Sequence, residues 1–142
     1  MKQSLFDMIG GLSAMERIHT SFYDKVYAHP WLGQFFEGLD QKFIELRQTQ
    51  FMAEKMGSKA PYLGKDLDVS HMRMYITEEL LVVRQGLLRE AIEEEGVAPE
   101  LVTRWLKIDR AFWSKIKKDS LESFKNIDLK YEQPMIVEKP ES

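Results

Sequence analysis

The sequence predicts an all-α domain, and three observations predict it. Apolar residues recur every three or four positions through most of the chain, which is helical and not strand spacing. Capping residues and glycines punctuate these runs where helices start and stop. No alternating apolar–polar run bounded by turn residues is present, so nothing reads as a strand ladder.

The elements follow in order. Ser4 and Asp7 have capping-box spacing, which predicts a short helix to Met8 that Gly10-Gly11 ends. Ser13 and Glu16 repeat that spacing and predict the next start, followed by Met15, Ile18, Phe22 and Val26 on one face. His29-Pro30 closes this helix, because the residue before proline is pushed out of the α region. WLGQFFEGLD at 31–40, with two glycines and Phe35-Phe36, reads as a compact turn packed inward. Asp40 caps the following helix, on which Ile44, Gln48, Phe51 and Lys55 form a stripe with Arg47 and Met52 at its edges. Gly57 ends it.

Residues 57–66 carry dense turn signals. A short helical stretch then places Leu67, His71 and Met74 on one side. Thr77 caps a helix that has Glu78 and Glu79 in its first turn, where the dipole favours them, and that stops at Gly96. Pro99 opens the last core helix, with Leu101, Trp105, Ile108, Phe112 and Ile116 expected to be its buried face. The pattern decays beyond Lys118. The expected organisation is one domain over 1–118 and an extension over 119–142, with helix over Ser120–Leu129 and disorder in the last ten residues.

Composition narrows the function. The 142 residues suffice for one domain with its own core, and 44% hydrophobic with 30% charged residues is a globular balance. A formal net charge of −3 disfavours nucleic acid or an anionic membrane as partner. With no cysteine, disulfides and thiolate metal sites are excluded. No apolar run spans a bilayer, and MKQSLFDMIGG lacks the apolar core of a signal peptide, so a cytoplasmic location is expected.

Only three histidines are present: His19, His29 and His71. No HExxH-type pair supports a zinc enzyme, and no Gly-x-Ser-x-Gly turn or phosphate loop supports the corresponding chemistries. Haem needs less: one axial ligand, a wide apolar slot and a few polar groups at its edge. His71 suits the axial role, with apolar neighbours a turn away on either side. His19 and His29 read as structural, His29 as an ordinary exposed residue at a helix end and His19 as a core residue at the rim of the pocket.

As an ordered set, IGG at 9–11, SFYDKVYAHPWLGQFFEG at 21–38, APYLGKDLDVSH at 60–71 and EEEGVAP at 93–99 resemble the truncated haemoglobins, most of all the first subgroup. The resemblance covers roughly residues 5–118. It implies a two-over-two helical sandwich holding haem b, with His71 as the proximal iron ligand and Phe36 packed on the porphyrin. It implies that Tyr23, backed by Gln48, donates to bound ligand, with apolar Ile44 nearest that ligand. Phe51, Leu67 and Met74 are the remaining candidate apolar contacts. Arg47 is the first candidate for the propionates, ahead of Tyr62 and Arg73. The implied ligands are oxygen, nitric oxide and carbon monoxide. The implied uses are oxygen carriage or sensing, and nitric oxide dioxygenation or peroxidase-like chemistry with a separate reductase. The competing expectation is a haem-free helical interaction module.

Three departures from the family pattern stand out. Gly57-Ser58 replaces a usual Gly-Gly. Met52, Met56, Met72 and Met74 crowd the supposed pocket, where flexible core filling is the expected use. Arg84, flanked by Leu81, Leu88 and Ile92, falls where the family usually has an apolar or aromatic residue facing the proximal side of haem. It can reach a propionate or turn to solvent, and exposure is expected because a buried guanidinium is costly unless paired.

Overall fold

In the computed structural model, residues 3–59, 74–118, 136–137 and 139–140 are described. The described elements are helical: α1 (Leu5–Ile9), α2 (Gly11–Ala28), a 3-10 turn (Leu32–Phe36), α3 (Gln41–Lys55), α4 (Glu78–Glu94), α5 (Pro99–Ala111) and α6 (Trp113–Ile116). Helices α2 and α3 pack together. So do α4 and α5, and α2 also packs on α4, which joins the two pairs into a sandwich.

Local chemistry explains the boundaries. Ser4 Oγ accepts from the Asp7 amide at 3.1 Å, and α1 ends at Gly10, whose φ of +121° suits glycine. Gly10 then serves as the N-cap of α2, three residues before the expected cap at Ser13. Ser13 caps nothing, and its hydroxyl instead accepts from Arg17 Nη1 at 2.7 Å. At the other end, His29 takes an extended conformation before Pro30, as the pre-proline restriction demands. Its Nδ1 accepts from the amides of Trp31 and Leu32 at 3.1 and 3.2 Å. The half-buried His29 therefore satisfies two amides at the start of the 3-10 turn, and is not the ordinary exposed side chain expected of it.

Gly33 lets that turn fold back on α2. A Cβ at this position would lie 2.6 Å from the Tyr27 carbonyl oxygen, a backbone atom with little freedom to retreat. Asp40 caps α3 by accepting from the Lys42 amide at 3.2 Å, and Thr77 caps α4 by accepting from the Leu80 amide at 3.2 Å. Pro99 opens α5 at its first turn.

Trp105, Phe22, Met15, Ile18, Met52, Leu81, Leu88 and Ile92 fill the interior, each essentially inaccessible to solvent. Full burial of side chains this size contributes about 1.5–3 kcal/mol apiece before entropy is counted. Met52 and Met56 are core filling, and Met74 packs half-buried against the same core. On α5 the buried face is Val102, Trp105, Leu106 and Asp109, rotated from the expected stripe: Leu101, Ile108 and Phe112 are only half-buried. The chain also turns at Phe112, which splits the expected single helix into α5 and α6. Near the C-terminus, the Val137 carbonyl accepts from Trp31 Nε1 at 3.3 Å, and Lys139 pairs with Glu79. Among the described residues, no helix is long and apolar enough to cross a membrane.

Candidate functional site

The site is built where α2, the 3-10 turn and α3 meet. Tyr23 stands on α2 one position beyond the core residue Phe22, and the two rings meet edge to face at 4.7 Å. Helical rotation of about 100° per residue turns Tyr23 away from the deepest core toward α3 and the turn. Both rings belong to the buried core, with Tyr23 on the side that meets α3 and the turn. There Phe36 meets Tyr23 at 5.9 Å and Tyr27 at 5.4 Å. Tyr27 is fixed in its own right, its hydroxyl donating to the Leu39 carbonyl at 3.2 Å.

Tyr23 is 6% exposed. Its hydroxyl makes no hydrogen bond with any described residue. The ring is buried while the hydroxyl oxygen is not among the fully buried unpartnered atoms, so the hydroxyl sits at the edge of the core, open to an acceptor. Burial raises its pKa to about 12, which keeps the phenol protonated and able to donate at any physiological pH.

On α3 the residues sort into two stripes. Glu45, Thr49, Met52 and Met56 are buried. Two of them bind α2: Glu45 accepts from Thr20 Oγ1, and Thr49 Oγ1 lies 2.7 Å from His19 Nδ1. These contacts set the rotation of α3. They leave Ile44 and Gln48 half-buried on the neighbouring stripe with Phe51, which contacts Phe112 at 5.2 Å. Gln48, like Tyr23, has no hydrogen-bond partner among the described residues. Arg47 is turned to the next stripe, where it donates to Gln50 at 3.3 Å and lies over Phe43 at 5.1 Å.

Of the sequence-expected residues, the structure gathers Tyr23 and Phe36 by direct ring contact and arrays Ile44, Gln48 and Phe51 on α3. Tyr62, Leu67, His71, Met72 and Arg73 lie outside the described residues. Among the described residues, no group of three or more His, Asp or Glu side chains could hold a metal ion.

Behind Tyr23 lies a polar cluster that the sequence reading did not place. His19 is wholly buried, one turn before Tyr23, with its ring edge-to-face on Trp105 at 5.7 Å. Its pKa is lowered to about 3, first by burial and then by the nearby Arg84. His19 Nε2 and Trp105 Nε1 are both buried without a partner among the described residues. Arg84 itself is not solvent-exposed as expected. Its side chain is 21% exposed, and Nη1 donates to both carboxylate oxygens of Asp109 at 2.8 and 2.9 Å. The guanidinium carbon lies over the Phe22 ring at 5.3 Å. Gln85 Nε2 and Trp113 Nε1 also donate to Asp109, at 3.3 and 3.4 Å. A paired, hydrogen-bonded geometry is what allows the two charges to be buried. The sequence hinted at the acid's need but not at its partner. Asp109 lies four residues after Trp105 and four before Trp113, so it is an acid on an apolar stripe that needed a cation opposite.

Comparison with known proteins agrees with this architecture. Residues 4–118 match the family described as bacterial-like globin. The chain is 32% identical over 103 residues to a group 1 truncated haemoglobin of Mycolicibacterium paratuberculosis, covering 72% of this chain and 76% of that one. It is 33% identical over 98 residues to a group 1 truncated haemoglobin of Chlamydomonas moewusii, covering 68% of this chain and 57% of that one. In fold it matches the Fe(III) form of the truncated haemoglobin from Tetrahymena pyriformis, with a TM-score of 0.76, 23% identity, and coverage of 82% of this chain and 100% of that one. From buried tyrosine to helical sandwich, the chain belongs to the bacterial-like globins, and within them to the truncated haemoglobins, its relatives being those of group 1.

Proposed function

We propose that this chain holds haem b beside α3, with His71 as axial ligand, and binds oxygen and nitric oxide under the control of Tyr23 and Gln48. Membership of the globin family carries the haem and the gas binding. The residue roles rest on a single observation: a buried phenol, kept protonated, with no partner among the described residues. Such a donor is expected where a bound molecule supplies the acceptor.

The surrounding residues fit haem. Phe36, Ile44 and Phe51 offer apolar and aromatic surface to a flat ring, and Gln48 adds a second polar group on the α3 side. When bound, haem would supply an iron atom able to take a diatomic gas, with His71 as the residue that would hold it. The protein's own work is to exclude water, orient the ligand and place a donor beside it. Tyr23 does the last through a hydroxyl held by ring contacts with Phe22 and Phe36, which is already aimed and needs little reorganisation. Arg47, Tyr62 and Arg73 are the candidates for the propionates, and Leu67 and Met74 for further apolar contact. Nitric oxide dioxygenation would draw electrons from a separate reductase.

The test begins with haemin added to the purified protein. A sharp Soret band is expected, and His71→Ala should abolish or shift it. Tyr23→Phe should keep the band and raise the oxygen off-rate at least several-fold, since a hydrogen bond to a charged group contributes roughly 1.5–3 kcal/mol. No Soret band with wild-type protein would favour the haem-free interaction module. An off-rate unmoved by Tyr23→Phe would remove Tyr23 from its role.

A further inference from the structure

The geometry points to Arg84 as a ligand-selecting residue: a cation beside Tyr23 that favours anionic over neutral ligands at the gas site. This rests on the haem reading above and adds a charge preference to it. Three observations carry the inference. First, the guanidinium on α4 lies over the Phe22 ring, and that ring in turn contacts Tyr23. Second, only Nη1 is committed to Asp109. The Nε and Nη2 donors have no partner among the described residues, and the side chain keeps 21% of its surface accessible. Third, Asp109 is shared with other donors: it also accepts from Gln85 Nε2 and Trp113 Nε1. The charge of Arg84 weighs more than that of Asp109 on both Tyr23 and His19.

A solvent-exposed arginine would exert little of this effect, because water and salt screen it. One largely buried against an aromatic face keeps a stronger field at its neighbours. His19 cannot add to that field, since a pKa of about 3 leaves it neutral. An anion at the site gains attraction from Arg84 together with the hydrogen bond from Tyr23. A neutral ligand gains mainly the latter.

The experiment titrates the haem-loaded protein spectroscopically at equilibrium, with azide and fluoride for the ferric form and carbon monoxide for the ferrous form. Arg84→Met alone strands Asp109 in the core, so the informative variant is Arg84→Met with Asp109→Asn, which removes both charges together. Azide and fluoride affinity should fall roughly tenfold or more, the scale of one charge-assisted contact. Carbon monoxide affinity should change less than about threefold. Asp109→Asn alone should leave azide affinity equal or higher, because the cation loses its counterweight. Soret-bearing variants with unchanged azide affinity would overturn the role of Arg84 while leaving the haem reading intact. An equal loss of carbon monoxide and azide affinity would overturn it too, by showing a packing effect. Wild-type protein with no Soret band would overturn both.

Discussion

Tyr23, His19 and Arg84 form one neighbourhood in which each side chain's environment decides its state. The phenol stays protonated and the imidazole stays neutral because burial disfavours the charge of each. Burial opposes the charge of the guanidinium as well, but the attraction of Asp109 and its hydrogen bonds outweigh that penalty. The histidine has a consequence for stability. Its folded pKa of about 3 lies below the unfolded value of 6.5, so between those values the unfolded chain binds the extra proton. The associated stability is complete above pH 6.5 and is lost as the pH falls through that window, at ~1.4 kcal/mol per unit. His19→Gln removes this titration. Urea unfolding at pH 7 and at about pH 5 should therefore show the wild type losing about 2 kcal/mol more than the variant between the two conditions. Equal losses would mean that His19 is protonated in the fold.

At the scale of elements, the ends of helices matter as much as their faces. Ser13 and Thr77 both look like N-caps in the sequence, yet only Thr77 accepts a backbone amide. Thr77→Ala should cost about 1 kcal/mol, whereas Ser13→Ala should cost less than about 0.5 kcal/mol, because it loses only a bond to the exposed Arg17. Comparing the two urea midpoints checks this, and equal effects would contradict the cap assignment. The displacement of the start has a local cause. Gly11, with φ of +73°, enters the helix directly from Gly10, so α2 is already under way at Ser13. His29 and Gly33 together shape the 3-10 turn that delivers Phe36 to Tyr23: one satisfies the amides of the turn and the other permits its close approach to α2.

For the whole molecule, the described end of the tail is fastened to the sandwich. Trp31, 6% exposed, donates to the Val137 carbonyl and lies 5.8 Å from the Lys139 ammonium, which also pairs with Glu79. This links the turn before Phe36 to the first turn of α4. Removing residues 136–142 should lower stability by about 1 kcal/mol, the contribution of one hydrogen bond, and expose the indole. Lys139→Ala alone should do little, because the lysine and Glu79 are both largely exposed. Denaturant melts of the three proteins, with quenching of tryptophan fluorescence by acrylamide, check this. A truncated chain as stable as the full one would show that the contact carries no weight.

What the sequence by itself determined is what depends on neighbours along the chain. The spacing of apolar residues, the caps at Ser4, Asp40 and Thr77 and the stops at Gly10 and Pro30 yielded the helices and the family, because period and capping act within a few residues. The same spacing placed Gln48 with Ile44 and Phe51 on one stripe. Only the tertiary structure decided what meets across helices. Arg84 and Asp109 are 25 residues apart, as His19 and Thr49 are 30 apart, and nothing local announces either pair. Whether a charge can be buried depends on the partner that packing brings to it, so the expectation of an exposed Arg84 failed where it had to rest on one helix alone.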